Sequence, residues 1–88
     1  MTTKEFLREV EAQIKRYYYD ERYFNLLEVI QVWYCKTIKN HKGLFIVKEA
    51  DGVLPHFIEA TYNGEKSELY LDFYEKVDKM TCKIPYNN

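Results

Sequence analysis

The stretch Leu26–Lys48, LLEVIQVWYCKTIKNHKGLFIVK, holds the longest β-rich run of the chain and its only tryptophan. Read at the two-residue period of a strand, the run has apolar side chains on both faces. One face carries Ile30, Val32, Tyr34 and Ile38, and the other carries Val29, Trp33, Cys35 and Thr37. A strand with one solvated face alternates apolar and polar residues. The pattern therefore predicts a central strand, with Cys35 buried and cover on both sides.

The chain is short, so it has few residues with which to cover both faces of a sheet. Its 88 residues predict a single domain, 1–88, with a modest core. Two arrangements are open: helices cover one face and a partner covers the other, or large aromatic side chains lie half exposed.

Composition narrows the function classes. A hydrophobic share of 47% and a charged share of 31% are typical of a globular protein, while nine Tyr and a 17% aromatic share are high. The net charge of −1 gives no overall field for nucleic acid or for an anionic membrane. Lysines concentrate between Lys36 and Lys48, and acids between Glu59 and Asp78. This bias suits a mixed-charge protein surface or self-association, or it reflects solvated turns.

The N-terminus and the cysteines predict a cytosolic protein. Charged residues in MTTKEFLREVE replace the apolar stretch of a signal peptide, and no apolar run reaches the roughly 18 residues of a membrane span. Two cysteines, Cys35 and Cys82, are too few for a disulfide scaffold.

The first element is predicted to be a helix over residues 3–19. Thr2 and Glu5 have capping-box spacing, and apolar residues recur at intervals of three and four from Phe6 to Tyr18. The segment that follows is rich in tyrosine. It either packs the helix end against the sheet or anchors a partner, because Tyr and Arg are enriched at binding hot spots. The candidate anchor residues are Tyr17, Tyr18, Tyr19, Arg22 and Tyr23.

The rest of the chain predicts an antiparallel meander and a second helix. A turn at Lys39–Gly43 precedes a strand at Leu44–Lys48, and Asn63-Gly64 is typical of a two-residue hairpin. That hairpin sets Glu59 opposite Glu68, so that Lys36 must neutralise the pair or a bulge must shift the register. Asp72 and Glu75 have capping spacing for a short helix over about 72–81 that turns Phe73, Val77 and Met80 inward, although β-strand could instead continue. The predicted fold class is α+β: an N-terminal helix, a β-meander of three or four strands, and a short C-terminal helix.

The sequence offers little for catalysis. Cys35, His41, His56 and Cys82 include zinc-ligand types but lack the paired spacing of structural zinc sites. Ser67, the only serine, follows a hairpin rather than a nucleophile elbow, and three glycines form no phosphate cradle. We therefore expect no enzyme activity, no cofactor and no metal.

A nucleic-acid site is the main alternative. It would use Lys36, Lys39, Lys42 and Lys48, with Trp33, Tyr34 and Phe45 stacking on bases. The missing net positive charge argues against it.

One group of motifs gives a resemblance. The residues are Val32-Trp33, Cys35-Lys36-Thr37, Asn40, Lys42, Asp51-Gly52, Glu59 to Gly64 and Tyr70 to Lys76. Over roughly residues 29–80 they resemble a small family of uncharacterised proteins from phages and prophages of Gram-positive bacteria; Leu54-Pro55-His56 interrupts the pattern. The resemblance implies a phage genome and a bacterial cytoplasm, and it supplies no catalytic residues.

The resulting hypothesis is a non-enzymatic phage accessory protein that binds a host or phage protein, such as a host defence or replication factor. A homodimer through the same surface is an alternative, as is an oligomer that binds a small ligand. No membrane partner is expected. The candidate contact residues are the five of the tyrosine-rich segment together with Trp33 and Tyr34.

Overall fold

The computed structural model describes residues 1–18, 27–50 and 52–85. Helix α1 spans Thr3–Tyr17, and four strands follow: β1 at Glu28–Thr37, β2 at Asn40–Glu49, β3 at Gly52–Asn63 and β4 at Glu68–Glu75. The strands form one antiparallel sheet in the order β1-β2-β3-β4. The predicted N-terminal helix and antiparallel meander are confirmed.

Helix α1 begins with the predicted capping box. The Thr2 hydroxyl accepts a hydrogen bond from the Glu5 backbone N–H at 3.1 Å, and the Glu5 carboxylate accepts one from the Thr2 N–H at 2.9 Å. Two backbone donors that the first turn cannot satisfy internally are thereby satisfied.

The core lies between α1 and one face of the sheet, which we call the inner face. The helix contributes Phe6, Val10 and Ile14, all fully buried. The sheet contributes buried side chains from its two middle strands, Phe45, Val47, Ile58 and Ala60. Burying one such large apolar side chain stabilises the fold by roughly 1.5–3 kcal/mol, so this single layer of contacts holds the helix on the sheet.

Strand β1 lies at an edge of the sheet, so the prediction of a central strand is wrong. Its register shifts between Gln31 and Trp33, which leaves Val32 as an extra residue. An extra residue reverses the side-chain alternation beyond it. Tyr34 therefore joins the inner face, whereas Trp33 and Cys35 lie on the opposite, outer face. Cys35 is exposed rather than buried.

The turn between β1 and β2 is tighter than predicted. Thr37 pairs with Asn40, so only Ile38 and Lys39 lie in the turn, and Ile38 adopts a positive φ of 46°. The predicted turn at Lys39–Gly43 is wrong, since β2 already begins at Asn40.

The β3–β4 connection is longer than the predicted two-residue hairpin. Asn63 pairs with Glu68, which leaves residues 64–67 in the loop. The Asn63 side chain accepts hydrogen bonds from the N–H groups of Glu65 and Lys66 at 3.0 and 3.3 Å. This Asx-type turn forms the beginning of the loop. It moves the register, so that Glu59 lies opposite Asp72 instead of Glu68.

The predicted C-terminal helix is absent from the described residues. Strand β4 continues to Glu75, and residues 76–85 form neither helix nor strand. Phe73 pairs with Ile58 in the sheet and stacks on Tyr17 with ring centroids 4.0 Å apart. Sheet pairing and this stack thus outweigh the capping signal. Val77 and Met80, predicted to turn inward, are exposed.

Among the described residues, no helix is long and apolar enough to cross a membrane.

Candidate binding surface

The outer face of the sheet is the candidate functional site. Helix α1, the only helix in the described ranges, packs on the inner face, so none covers the outer one. Directly paired residues of an antiparallel sheet share a face, and the register therefore assigns side chains to the outer face in cross-strand rows. The three central rows are Cys35, Lys42, Thr61 and Tyr70; Trp33, Leu44, Glu59 and Asp72; and Ile30, Ile46, Phe57 and Tyr74.

Four aromatic side chains are well exposed on this face. The accessible fractions are 52% for Trp33, 43% for Phe57, 39% for Tyr70 and 52% for Tyr74. Aromatic residues have the largest apolar area of any side chain. Their concentration on a face that no helix of the described residues covers is typical of a contact surface and makes this face the candidate.

An ion pair lies in the middle of the face. Lys42 Nζ is 3.2 Å from Glu59 Oε1 on the neighbouring strand. Glu59 also faces Asp72 across β3 and β4, so the lysine offsets one of two adjacent carboxylates. Lys36, the residue expected in this role, pairs with His41 and lies towards the inner face.

A shallow depression opens beside the ion pair. It has a volume of about 270 Å³, and Trp33, Cys35, Lys42 and Thr61 are among the residues that line it. An indole, a thiol and an ammonium group at its wall suit contact with a mixed apolar and acidic protrusion.

On the β4 side of the face, a hydrogen bond orients the side chain of Tyr70. The Tyr70 hydroxyl donates a hydrogen bond to Glu68 Oε2 at 3.1 Å. This bond, with desolvation and the negative charge of Glu68, raises the pKa of Tyr70 above 10.0. The phenol therefore remains a neutral donor at the edge of the face.

His41 belongs to the core rather than to a surface site. Its Nε2 lies 3.0 Å from the Met1 carbonyl oxygen, an acceptor, and its Nδ1 is hydrogen-bonded to the Tyr34 hydroxyl. That hydroxyl also contacts the Thr3 side chain at 3.1 Å. The imidazole is buried and stacks on Phe6, so it ties the N-terminus and α1 to the sheet.

His56 connects the end of α1 to strand β4. Its Nδ1 is 2.9 Å from the Tyr18 hydroxyl, and its Nε2 is 3.1 Å from Glu75 Oε1. Sequence reasoning considered this histidine as a candidate zinc ligand. Over the described ranges, no group of three or more His, Cys, Asp or Glu side chains is placed to hold a metal ion.

The predicted contact residues are not brought together. Trp33 is exposed on the outer face, whereas Tyr34 points inward to His41. Tyr17 stacks on Phe73, and Tyr18 is buried against the sheet. The remaining members of the tyrosine-rich segment lie outside the described residues: Tyr19, Arg22 and Tyr23.

The four lysines of the alternative nucleic-acid site are also divided. Lys42 and Lys48 lie on the outer face, Lys36 lies towards the inner face, and Lys39 is in the β1–β2 turn. They do not form one continuous strip.

Sequence reasoning missed three aromatic residues of the outer face: Phe57, Tyr70 and Tyr74. The signal is the alternation in the stretch ELYLDFYE of β4. Leu69, Leu71 and Phe73 alternate with Tyr70, Asp72 and Tyr74, which is typical of a half-covered strand. The competing helix prediction for about 72–81 obscured it.

Comparison with known proteins gives one family. The model of DUF6275, a family of unknown function, matches residues 2–84. No curated protein and no solved structure matches the chain.

Proposed function

We propose that this chain, which belongs to the DUF6275 family of unknown function, is a non-enzymatic accessory protein that binds another protein through the outer face of its sheet. The observation that carries the proposal is the uncovered face itself, with Trp33, Phe57, Tyr70 and Tyr74 exposed around a central ion pair. Among the described residues, these apolar side chains are left in contact with water.

The chemistry of the face suits a protein partner. Aromatic residues contribute most to binding hot spots when a partner excludes water from them. Strand β2 supplies the more shielded centre through Leu44 and Ile46, while Glu68 and Asp72 lie towards the β4 edge. An apolar centre with a polar rim is the usual anatomy of a protein interface.

The biological setting in this proposal comes from the resemblance to phage and prophage proteins. On the basis of that resemblance we propose that the protein acts in the cytoplasm of a bacterial host and that its partner is a host or phage protein. A host defence or replication factor is the class of target that such an accessory protein would engage.

Nucleic acid is disfavoured by the charges of the same face. Exposed aromatics on a sheet can stack on unpaired bases. Here, however, the described part of the face has four carboxylates, Glu28, Glu59, Glu68 and Asp72, and two lysines, Lys42 and Lys48. Phosphates approaching the sheet would meet an excess of carboxylates.

The proposal is tested by a tagged pull-down from cells that also carry an untagged copy of the chain, with and without nuclease. Wild-type protein is compared with Trp33→Glu on the outer face and with Val77→Glu, a matched control at a 96% exposed site outside the sheet. We expect a stoichiometric protein that survives nuclease, is lost with Trp33→Glu and is kept with Val77→Glu. Recovery abolished by nuclease, or unaffected by Trp33→Glu, would overturn the proposal.

A further inference from the structure

We propose that the protein covering the outer face is a second copy of this chain, packed face to face so that the two sheets form a two-fold symmetric sandwich. The inference rests on the proposed function and names the partner of that surface. It is carried by three features of the outer face: its charge pattern, its apolar rows and its size.

The two lysines of the outer face both lie on β2, whereas most of its acids lie on β3 and β4. Strand β2 carries Lys42 and Lys48, and β3 and β4 carry Glu59, Glu68 and Asp72; the remaining acid, Glu28 of β1, pairs with Lys48 at one end of the sheet. A two-fold axis that lies between two stacked sheets, parallel to their strands, sets β2 of one copy over β3 of the other. The lysine-bearing strand of each copy then faces an acidic strand of its partner.

In this arrangement, Lys42 and Glu59 of the two copies form a ring of four alternating charges at the centre of the face. Lys42 lies in the row next to Glu59 within one chain and 3.2 Å from it. The two-fold rotation places Glu59 of the second copy in that same neighbouring row, so that it also lies next to Lys42. Each lysine then has two carboxylate neighbours and each Glu59 has two lysine neighbours, so these four central charges are paired when association removes them from water.

The other in-plane axis is excluded by the same residues. An axis perpendicular to the strands that passes through the central row sets each strand over its own copy. It would stack Glu59 on Glu59 and Asp72 on Asp72, because both belong to that row. Like charges facing each other across an interface cost several kcal/mol, so the charge pattern selects the axis parallel to the strands.

The apolar row is complementary under the selected axis. Ile46 of one copy faces Phe57 of the other, and Ile30 faces Tyr74. Stacked sheets lie about 10 Å apart with their side chains interdigitated. Aliphatic residues opposite aromatic ones fill such a gap without pairing the largest side chains with each other.

The size of the face indicates how tightly the copies bind. Four strands spaced about 4.8 Å apart, each about ten residues long, present roughly 600 Å². A standard specific interface buries about 800 Å² on each partner. The face is large enough for a specific dimer but falls towards the small end, so we expect a dimer whose population depends on protein concentration.

Sedimentation equilibrium of the full chain, from low to high micromolar concentration, measures this association. Wild type should shift from monomer to dimer mass. Lys42→Glu and Glu59→Lys each place four like charges at the centre, and each alone should weaken association by about tenfold or more. An equimolar mixture of the two variants should restore it, since one copy then supplies two negative charges and the other supplies two positive charges.

The variants are expected to fold, because the side chains of Lys42 and Glu59 are 50% and 35% exposed; circular dichroism checks this. Wild type that stays monomeric at every concentration would overturn the dimer, as would a dimer that neither variant weakens or a mixture that fails to associate. If wild type is monomeric but a different protein is retained through Trp33 in the pull-down, the dimer is wrong and the proposed function stands. If nothing is retained through Trp33, both fail.

Discussion

Lys42 and Glu59 form an ion pair of 3.2 Å across β2 and β3, at the centre of a sheet face that is otherwise rich in apolar and aromatic side chains. Both side chains are partly exposed, and a pair of this kind contributes less than about 1 kcal/mol to stability. Its significance lies in where it places charge. It lies where the lysine-bearing strand β2 meets the acidic strand β3, and this distribution of charge favours one orientation of an approaching partner.

The one-sided core predicts a sharp contrast between two identical substitutions. Ile14→Val removes a methylene group from a fully buried site on α1 and should lower the free energy of unfolding by about 1 kcal/mol. Ile38→Val makes the same change at a 93% exposed turn position and should leave it nearly unchanged. Urea denaturation measures both. Equal effects would contradict the placement of the core.

The buried His41 predicts a specific role for one hydroxyl group. Tyr34→Phe removes the partner of His41 Nδ1 and leaves a buried ring nitrogen unsatisfied. The expected loss of stability is roughly 1–3 kcal/mol. Tyr74→Phe is the control, since Tyr74 is half exposed on the outer face, and it should have little effect. Thermal unfolding that does not distinguish the two variants would exclude the buried network.

The capping box predicts part of the acid dependence of stability. Hydrogen bonds from the backbone N–H and the side chain of Thr2 lower the pKa of the Glu5 carboxyl below its ordinary value of 4.5. A group whose pKa is lowered by folding stabilises the protein above its unfolded-state pKa, and this stabilisation is lost as pH falls through the folded-state pKa. Stability below pH 4.5 should therefore fall less steeply in Glu5→Gln than in wild type.

The control for this pH dependence is Glu65→Gln, which removes one negative charge from the β3–β4 loop. Denaturation midpoints measured across the acid range compare the three proteins. A Glu5→Gln curve parallel to wild type throughout would contradict the capping interaction.

Local signals in the sequence predicted α1 correctly. The capping box and the apolar stripe both lie within the helix, so no distant contact is needed to recognise them. The β3–β4 hairpin is different. The N–H of Gly64 donates to Asn40 Oδ1 at 3.0 Å, and a Cβ on Gly64 would come within 2.2 Å of the Lys39 carbonyl oxygen. Glycine is needed here because the β3–β4 loop packs closely against the β1–β2 turn. The Asn-Gly dipeptide alone does not indicate this contact.

The outer face was predictable only in part. The apolar character of both faces of Val29–Ile38 indicated a surface in need of cover, and Trp33, one of the predicted contact residues, is exposed on the outer face. The bulge at Val32 then moved Tyr34 to the inner face, and a single-residue bulge has no clear signature in the sequence. The helix expected over about 72–81 was overridden by pairing between β3 and β4, a contact between segments distant from the helix signal.

The most direct test of the central claim uses Trp33, the only tryptophan, as a reporter on the outer face. Its fluorescence and its quenching by acrylamide are measured in wild type as protein concentration rises. We expect a shift of the emission to shorter wavelength and weaker quenching, because a second copy covers the half-exposed indole. Emission and quenching that stay constant up to the highest concentration would contradict it.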